Sequence, residues 1–151
     1  MKVKQRKEYE GRSEALHVGV LATAGDEARV GEAVALLRTL GCADEDMVVH
    51  KVPGEMELVL GARYFAEYTD VDGLLVLSTT NPNHNTSALA ATVVQGVNMI
   101  SIDWNFPIIL SSAYSSVAEA AAALMQMVGL QILMEPEIPN ITPDTTDISF
   151  S

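Results

Sequence analysis

Apolar residues follow two alternating patterns along this chain. Short apolar runs, typical of strands covered on both faces, are separated by longer segments with apolar residues at helical spacing. The predicted strands cover residues 16–23, 47–52, 73–77 and 107–113, and the predicted helices cover residues 26–40, 55–68, 86–102 and 117–134. Gly41 is well placed to end the first helix. Because one helix joins each strand to the next, we expect residues 1–151 to form a single three-layer α/β/α domain with a parallel sheet of about four strands.

The predicted strand at residues 73–77 is the centre of this arrangement. It leads into a polar run, residues 78–85, that includes Pro82 and His84. In parallel α/β sheets the ligand lies at the carboxyl ends of the strands, where helix amino termini meet. We therefore expect the polar run to lie in the mouth of any pocket.

The predicted helix at residues 117–134 has almost no polar stripe. A helix that is apolar all round must be buried on more than one side, and in a small domain we expect the second side to be another subunit. The segment is also about long enough to span a bilayer, but it contains Glu119, Gln126 and Gln131 and has no basic flank. We therefore predict a buried helix in a homo-oligomer, with no membrane as a partner.

The charge of the chain is strongly negative and unevenly placed. A net charge of −11 disfavours nucleic acid as a partner, because phosphates attract clustered Lys and Arg. All nine basic residues lie at or before Arg63, whereas residues 64–151 carry nine acids and no Lys or Arg. The second half of the chain therefore has no cation with which to hold an anionic ligand.

Both ends of the chain are predicted to lie outside the packed core. Residues 1–14 carry a basic cluster without the apolar stretch of a signal peptide, so we expect a solvated arm, with a nucleic-acid arm or an address signal as the alternatives. Residues 135–151 contain three prolines and are expected to form an extended tail. The single cysteine, Cys42, excludes an internal disulfide and fits a cytoplasmic protein.

Three sequence elements together suggest a known family. They are Tyr9-Glu10-Gly11, the run Val-Pro-Gly-Glu-Met-Glu-Leu at residues 52–58, and Gln95-Gly96 followed by Pro107. They resemble, in order, the start of the amino-terminal arm, the Val-Pro-Gly-x-x-Glu turn, and the third helix of lumazine synthase. Members of that family are transferases that join a ribitylamino-substituted aminouracil to dihydroxybutanone phosphate in riboflavin biosynthesis. The resemblance covers most of residues 9–134 and implies a flavodoxin-like strand order and pentamers, sometimes closed into icosahedral shells.

The resemblance also implies a ligand site built from two loops. The substrate-binding residues that it implies are Gly54, Glu55, Met56 and Glu57 after the second strand, and Thr80 and Asn81 after the third. His84 would take the family's proton-transfer role in catalysis. The residues themselves leave alternatives, since Glu57 also suits the positive end of a helix and His84 also suits an ordinary Asn-rich loop. Three scattered histidines predict no metal site, and we expect no cofactor.

Three loops depart from the family pattern. After the first strand, residues 22–26 contain no counterpart of the family's Phe-Asn pair. After the third strand, residues 80–84 lack an Arg and place an extra residue between Pro82 and His84. After the fourth strand, residues 113–116 replace the Gly- and Lys-rich segment that completes the family's phosphate site. The scaffold is kept, but the ligand loops are changed.

Two hypotheses follow from these departures. Losing two charge-assisted contacts to phosphate, each worth roughly 1.5–3 kcal/mol, weakens binding by about two to four powers of ten. A helix amino terminus, or Arg29 or Arg63 of a neighbouring subunit, would have to replace them. We therefore favour a homo-oligomer with a degenerate active site that serves as a scaffold, a shell protein or a binder of an uncharged heterocycle (pyrimidine, lumazine or flavin). The alternative is a divergent lumazine synthase that retains the condensation.

Overall fold

The computed structural model describes residues 16–79 and 87–135, in which strands and helices alternate. The strands are β1 (Val18–Thr23), β2 (Met47–Val52), β3 (Gly73–Val76) and β4 (Ile108–Leu110), and the α-helices are α1 (Glu27–Thr39), α2 (Leu58–Tyr68), α3 (Ser87–Trp104) and α4 (Val117–Met134). The predicted order of elements is confirmed, and the bounds of β2 and α4 agree with the prediction. The predicted arm at residues 1–14 and nearly all of the predicted tail at residues 135–151 lie outside the described residues.

The four strands are parallel and form one sheet in the flavodoxin-like order β2-β1-β3-β4. Val18 of β1 pairs with Met47 of β2 on one side and with Gly73 of β3 on the other. The chain passes from β1 to one neighbour and then returns to build the sheet on the other side, so the strand order reverses between β1 and β3. In open parallel sheets, ligands bind at the carboxyl ends of the strands at such a switch point.

Helices cover both faces of the sheet, which confirms the three predicted layers. Successive residues of β1 point to opposite faces: Val20 packs in the cluster shared with α1 and α4, and Leu21 packs in the cluster shared with α2 and α3. Burial on both faces explains why the strand runs are continuously apolar. Gly19 allows Phe65 of α2 to lie against the sheet, since a Cβ at Gly19 would be only 2.6 Å from the Phe65 ring.

The end of α1 is a Schellman motif. Gly41 has a φ of 105°, a left-handed conformation that glycine adopts without a steric cost. The N–H of Gly41 donates to the carbonyl of Arg38, and the N–H of Cys42 donates to the carbonyl of Leu37, each at 3.0 Å. The prediction that Gly41 ends this helix is confirmed.

Two predicted elements have different bounds in the structure. Residues Glu55–Glu57 form a separate 3₁₀ turn, so α2 begins at Leu58. The prediction that the fourth strand continues to residue 113 is wrong, because Ser111–Ala113 also form a 3₁₀ turn. The N–H of Ser112 donates to Ser78 Oγ at 3.2 Å, so a side chain takes over from the strand ladder there.

Helix α4 is buried on one side of this chain. Leu124 and Val128 are fully buried over β3, where a Cβ on Gly73 would be 2.5 Å from Val128. By length and composition α4 is the one helix in the described segments that could cross a membrane, and 28% of it is buried inside the domain. The outward side chains, which are 45–78% exposed, are Met127, Leu130, Leu133 and Met134. Within a single chain, α4 is therefore buried on one side, and the second buried side that the sequence predicted is not observed there.

Candidate ligand site at the carboxyl edge of the sheet

Serine side chains join the carboxyl ends of β3 and β4. Ser78 follows β3, Ser111 and Ser112 follow β4, and the first two of these serines are buried. Ser78 Oγ donates to Ser112 Oγ at 2.8 Å, and Ser111 Oγ donates to the carbonyl of Ser78 at 3.0 Å. These small hydroxyls satisfy backbone groups that the end of the strand ladder leaves without partners. The serine cluster (Ser78, Ser111, Ser112) therefore forms one wall of the crevice.

Arg29 reaches this crevice from the first turn of α1. Its Nη1 donates to the carbonyl of Ser78 at 3.0 Å and to Ser111 Oγ at 3.3 Å, and its Nη2 donates to the carbonyl of Leu77 at 3.2 Å. Its carboxylate contacts go to Asp26, from Nη2 to Oδ2 at 2.7 Å, from Nε to Oδ2 at 3.0 Å and from Nε to Oδ1 at 3.3 Å. A guanidinium has five N–H groups, so every donor of Arg29 has an oxygen partner within the chain. The positive charge at the switch point is thus neutralised by the protein itself.

The position of Arg29 was not predicted from the sequence. Arg29 was considered there as a cation that a neighbouring subunit could supply, and the structure places it at the carboxyl edge of its own sheet. A signal for this position is present in the sequence. Arg29 lies in the first turn of α1, where the helix dipole disfavours a cation, and Asp26 three residues earlier is the acid that compensates it.

A second basic side chain lies near the same edge. Lys51, close to the carboxyl end of β2, forms an ion pair with Glu27 in the first turn of α1, and the Glu27 side chain is 65% exposed. Exposed pairs of this kind contribute about 0–1 kcal/mol, so Glu27 holds Lys51 weakly. Within residues 16–79 and 87–135, each Lys or Arg has a carboxylate partner; these side chains are Arg29, Arg38, Lys51 and Arg63.

The predicted ligand turn at residues 54–57 lies beside the loop that follows β3. The Glu55 carboxylate accepts a hydrogen bond from the N–H of Thr79 at 3.1 Å, which links the two loops. Gly54 has an extended backbone, and a Cβ there would be 3.2 Å from a carboxylate oxygen of Glu57. Met56 is 58% exposed, and Glu57 is also exposed. The structure therefore joins Glu55 to the second loop and leaves the next two predicted site residues facing solvent.

Three of the predicted site residues, Thr80, Asn81 and His84, lie outside the described residues. Thr79, the last described residue before them, is exposed at the carboxyl edge and bonded to Glu55. The roles of the three residues in substrate binding and proton transfer stay predictions.

A second polar cluster lies at the amino edge of the sheet. His17 precedes β1, and its Nε2 is 3.3 Å from Asp46 Oδ1 while its Nδ1 is 3.7 Å from Asp70 Oδ2. The backbone N–H of His17 donates to the carboxylate of Asp72 at 2.9 Å. No group of three or more His, Cys, Asp or Glu in the described part of the chain is arranged to hold a metal ion. We call His17, Asp46, Asp70 and Asp72 the amino-edge cluster.

Cys42 is buried next to this cluster. Burial raises the pKa of its thiol to about 11, and the negative charge of Asp46 adds to the effect. The thiol donates to the carbonyl of Leu16 at 3.5 Å. A buried thiol that keeps its proton is a poor nucleophile, which agrees with a structural role for Cys42.

No protein-family model and no curated protein matches this chain. The resemblance to lumazine synthase therefore rests on the sequence elements quoted above. A parallel α/β sheet supports many unrelated functions, so the argument for function depends on the site.

Proposed function

We propose that this protein is a cytoplasmic homo-oligomeric scaffold, lumazine-synthase-like in fold, whose degenerate active site does not catalyse the riboflavin-pathway condensation. The observation that carries the proposal is the closed guanidinium of Arg29. A phosphate monoester is held by charge-assisted hydrogen bonds, and the donors of Arg29 at the switch point already bind Asp26, two carbonyls and a serine. A ligand phosphate would have to displace a carboxylate that is bound through two of these N–H groups.

Two apolar surfaces support the oligomer. The α2 surface consists of Met56, Leu60, Tyr64 and Tyr68, which recur every four residues and are 49–73% exposed. The α4 surface consists of Met127, Leu130, Leu133 and Met134. Exposed apolar patches of this kind mark interaction sites. Because α2 and α4 cover opposite faces of the sheet, contact between the two surfaces would be head-to-tail, and repeated head-to-tail contacts close into rings such as the pentamer.

Sedimentation of single-charge variants tests the assembly. We expect the purified protein to sediment as a multiple of its 16.2 kDa chain mass, and we expect Leu60→Glu and Leu133→Glu each to shift it towards the monomer. Ala118→Glu, at an exposed position of α4 outside the α4 surface, is the matched control and should leave the assembly intact. A wild-type monomer at micromolar concentration would contradict the scaffold proposal.

Mixing the two variants tests the head-to-tail geometry. Leu60→Glu keeps an intact α4 surface, and Leu133→Glu keeps an intact α2 surface. A head-to-tail contact therefore predicts a heterodimer when the two variants are mixed, since one pair of intact surfaces is restored. If either variant alone stays dimeric, the contact joins like surfaces and the ring is wrong.

An activity assay tests the loss of catalysis. The protein is incubated with the aminouracil and dihydroxybutanone phosphate of the family reaction, and formation of the fluorescent lumazine is followed. We expect no product above the background without protein. Turnover comparable to that of a typical lumazine synthase would overturn the non-catalytic part of the proposal and leave the assembly untouched.

Lys51 favours a second candidate function, a divergent lumazine synthase. Its exposed ion pair with Glu27 can open, so Lys51 is a cation that a phosphate could recruit near the carboxyl edge. In that case Lys51→Ala should abolish product formation, and His84→Ala should reduce it by removing the proton-transfer group. Activity that survives both substitutions would rule out this mechanism.

An uncharged heterocycle is the ligand that is compatible with the scaffold proposal. The linked loops at Glu55 and Thr79 leave Met56 exposed beside the crevice, and a flat pyrimidine, lumazine or flavin ring needs apolar contact and few charges. Titration of riboflavin should quench its fluorescence saturably if the ring is bound. Met56→Glu should weaken that binding, and an unquenched titration would remove flavin from the proposal.

A further inference from the structure

Asp26 occupies a position that suits helix capping, yet its side chain does not cap α1. Asp26 is the N-cap residue, and none of the backbone N–H groups of the first turn donates to its side chain. An N-cap aspartate ordinarily accepts such a hydrogen bond. Here the carboxylate instead accepts charge-assisted bonds from Arg29, at 2.7 Å and 3.0 Å on Oδ2 and at 3.3 Å on Oδ1. The main contact of Asp26 is therefore the guanidinium.

The guanidinium has three contacts besides those with Asp26. Nη1 donates to the carbonyl of Ser78 and to Ser111 Oγ, and Nη2 uses its second N–H for the carbonyl of Leu77. These three contacts come from the ends of β3 and β4, which are fixed by the sheet. Among residues 16–79 and 87–135, the edge of Arg29 formed by Nε and Nη2 faces the Asp26 carboxylate. That edge has the planar, two-donor geometry that binds carboxylate or phosphate oxygens.

We propose that Asp26 is an internal ligand in an oxyanion-binding site at the β1/β3 switch point. The site consists of the Nε and Nη2 edge of Arg29, oriented by Leu77, Ser78 and Ser111, and it takes a small oxyanion, either a carboxylate or a phosphate, in exchange for Asp26. The side chains of Arg29 and Asp26 are 30% and 19% exposed, so the pair is open to solvent on one side. This inference rests on the proposed function, because both start from an Arg29 guanidinium whose donors are already bound within the chain.

Replacing Asp26 tests the site directly. Asp26→Asn keeps the shape without the charge, and Asp26→Ser keeps a favourable N-cap residue while removing the reach to Arg29. Inorganic phosphate and acetate are titrated, at constant ionic strength in chloride, into ¹⁵N-labelled wild-type and variant proteins. The readout is the NMR resonance of the Arg29 Nε–H group. The phosphate and acetate arms show which class of oxyanion the site prefers.

We expect saturable movement of the Arg29 resonance in both variants, with binding about 10- to 100-fold tighter than in the wild type. Adding Arg29→Lys to Asp26→Asn should remove most of that gain, because lysine lacks the two-donor edge. An unmoved Arg29 resonance in folded variants would overturn the inference, as would unfolding of both variants, which would make Asp26 a purely structural partner. If the wild type instead bound a phosphate ester without movement of the Arg29 resonance, the proposed function would be wrong and this inference would stand.

Discussion

At the carboxyl and amino edges of the sheet, Arg29 and His17 lie among oxygens, but their contacts differ in number and length. At the carboxyl edge, Arg29 meets one carboxylate and several neutral oxygens, so each of its five N–H groups is bonded and its charge is matched. At the amino edge, the imidazole of His17 faces Asp46 and Asp70 at 3.3 Å and 3.7 Å while Asp72 binds the backbone. Asp26 therefore lies closer to Arg29, at 2.7 Å, than Asp46 lies to His17, at 3.3 Å.

This difference separates a closed site from a loosely held cluster. Hydrogen bonds of 2.7–3.3 Å fix the guanidinium and link the start of α1 to the ends of β3 and β4. The imidazole is 3.3 Å from Asp46 and 3.7 Å from Asp70. Loss of the basic group should therefore cost more at the carboxyl edge. The predictions below test this ranking, from the largest expected effect to the smallest.

Arg29→Ala should lower the free energy of unfolding by about 3 kcal/mol, because it removes the guanidinium donors of the partly buried Asp26 carboxylate and of the Leu77 carbonyl, whereas the Ser78 carbonyl keeps its bond from Ser111 Oγ. Urea unfolding measures the change. Arg38→Ala is the matched control, since Arg38 pairs with Asp44 on the surface and should leave the unfolding midpoint nearly unchanged. If both substitutions shift the midpoint equally, Arg29 is an ordinary surface arginine and the closed crevice is wrong.

Cys42 reports through pH how well the core beside the amino edge shields its thiol, since burial is the main cause of its raised pKa. The thiol pKa is about 11 in the folded protein against an ordinary value of 9.0, so between these values the folded chain keeps a proton that the unfolded chain has lost. The contribution of the thiol to the free energy of unfolding is therefore fully present below pH 9 and is lost as the pH rises to 11. At 1.36 kcal/mol per pKa unit, the loss is roughly 2 to 3 kcal/mol.

Cys42→Ala should remove this component and flatten the stability profile above pH 9. The comparison is made on slopes, because the small cavity left by the substitution lowers stability equally at every pH. A slope that is the same in both proteins would show that the thiol is not shielded as described.

Gly73 tests whether the amino edge is also fixed by packing. Gly73→Ala places a Cβ about where Val128 and Leu124 of α4 now lie, so we expect a loss of about 2 kcal/mol in the free energy of unfolding. Gly129→Ala is the control within α4 itself. A Cβ added at Gly129 would meet no side chain within 4 Å, so this substitution should stabilise the helix by about 0.5–1 kcal/mol. A neutral Gly73→Ala would mean that α4 can shift freely over β3.

His17→Ala should have the smallest effect of the four, about 1 kcal/mol, because its contacts are long and partly exposed. His17→Gln keeps a donor towards Asp46 and should recover part of the loss. A double-mutant cycle with Asp46→Asn isolates the pairwise energy. A loss larger than that of Arg29→Ala would reverse the comparison between the two edges.

The fold was largely predictable because strand and helix periods are local signals. β2 and α4 match their predicted bounds, and Gly41 ends α1 as expected. The errors fall at the carboxyl edge, where Glu55–Glu57 and Ser111–Ala113 turn as 3₁₀ helices. There, hydrogen bonds to residues far away in the sequence, such as Ser112 to Ser78, replace the regular pattern.

The site was less predictable for the same reason. Arg29 contacts Leu77, Ser78 and Ser111, which lie 48, 49 and 82 residues away along the chain, and only the strand order brings them together. A count of charges in each half of the chain therefore could not place Arg29 at the carboxyl edge. The helix dipole offered a local clue, because it disfavours an arginine in the first turn of a helix and a nearby acid offsets this.

The most direct test of the closed crevice is a titration of the wild-type protein with dihydroxybutanone phosphate, followed through the Arg29 Nε–H resonance. We predict no movement of that resonance at concentrations of about 1 mM, at which a binding free energy of about −4 kcal/mol would give half-saturation. A saturable shift of the Arg29 resonance in the unmodified protein would show that the guanidinium is available to a phosphate ester, and it would contradict the account.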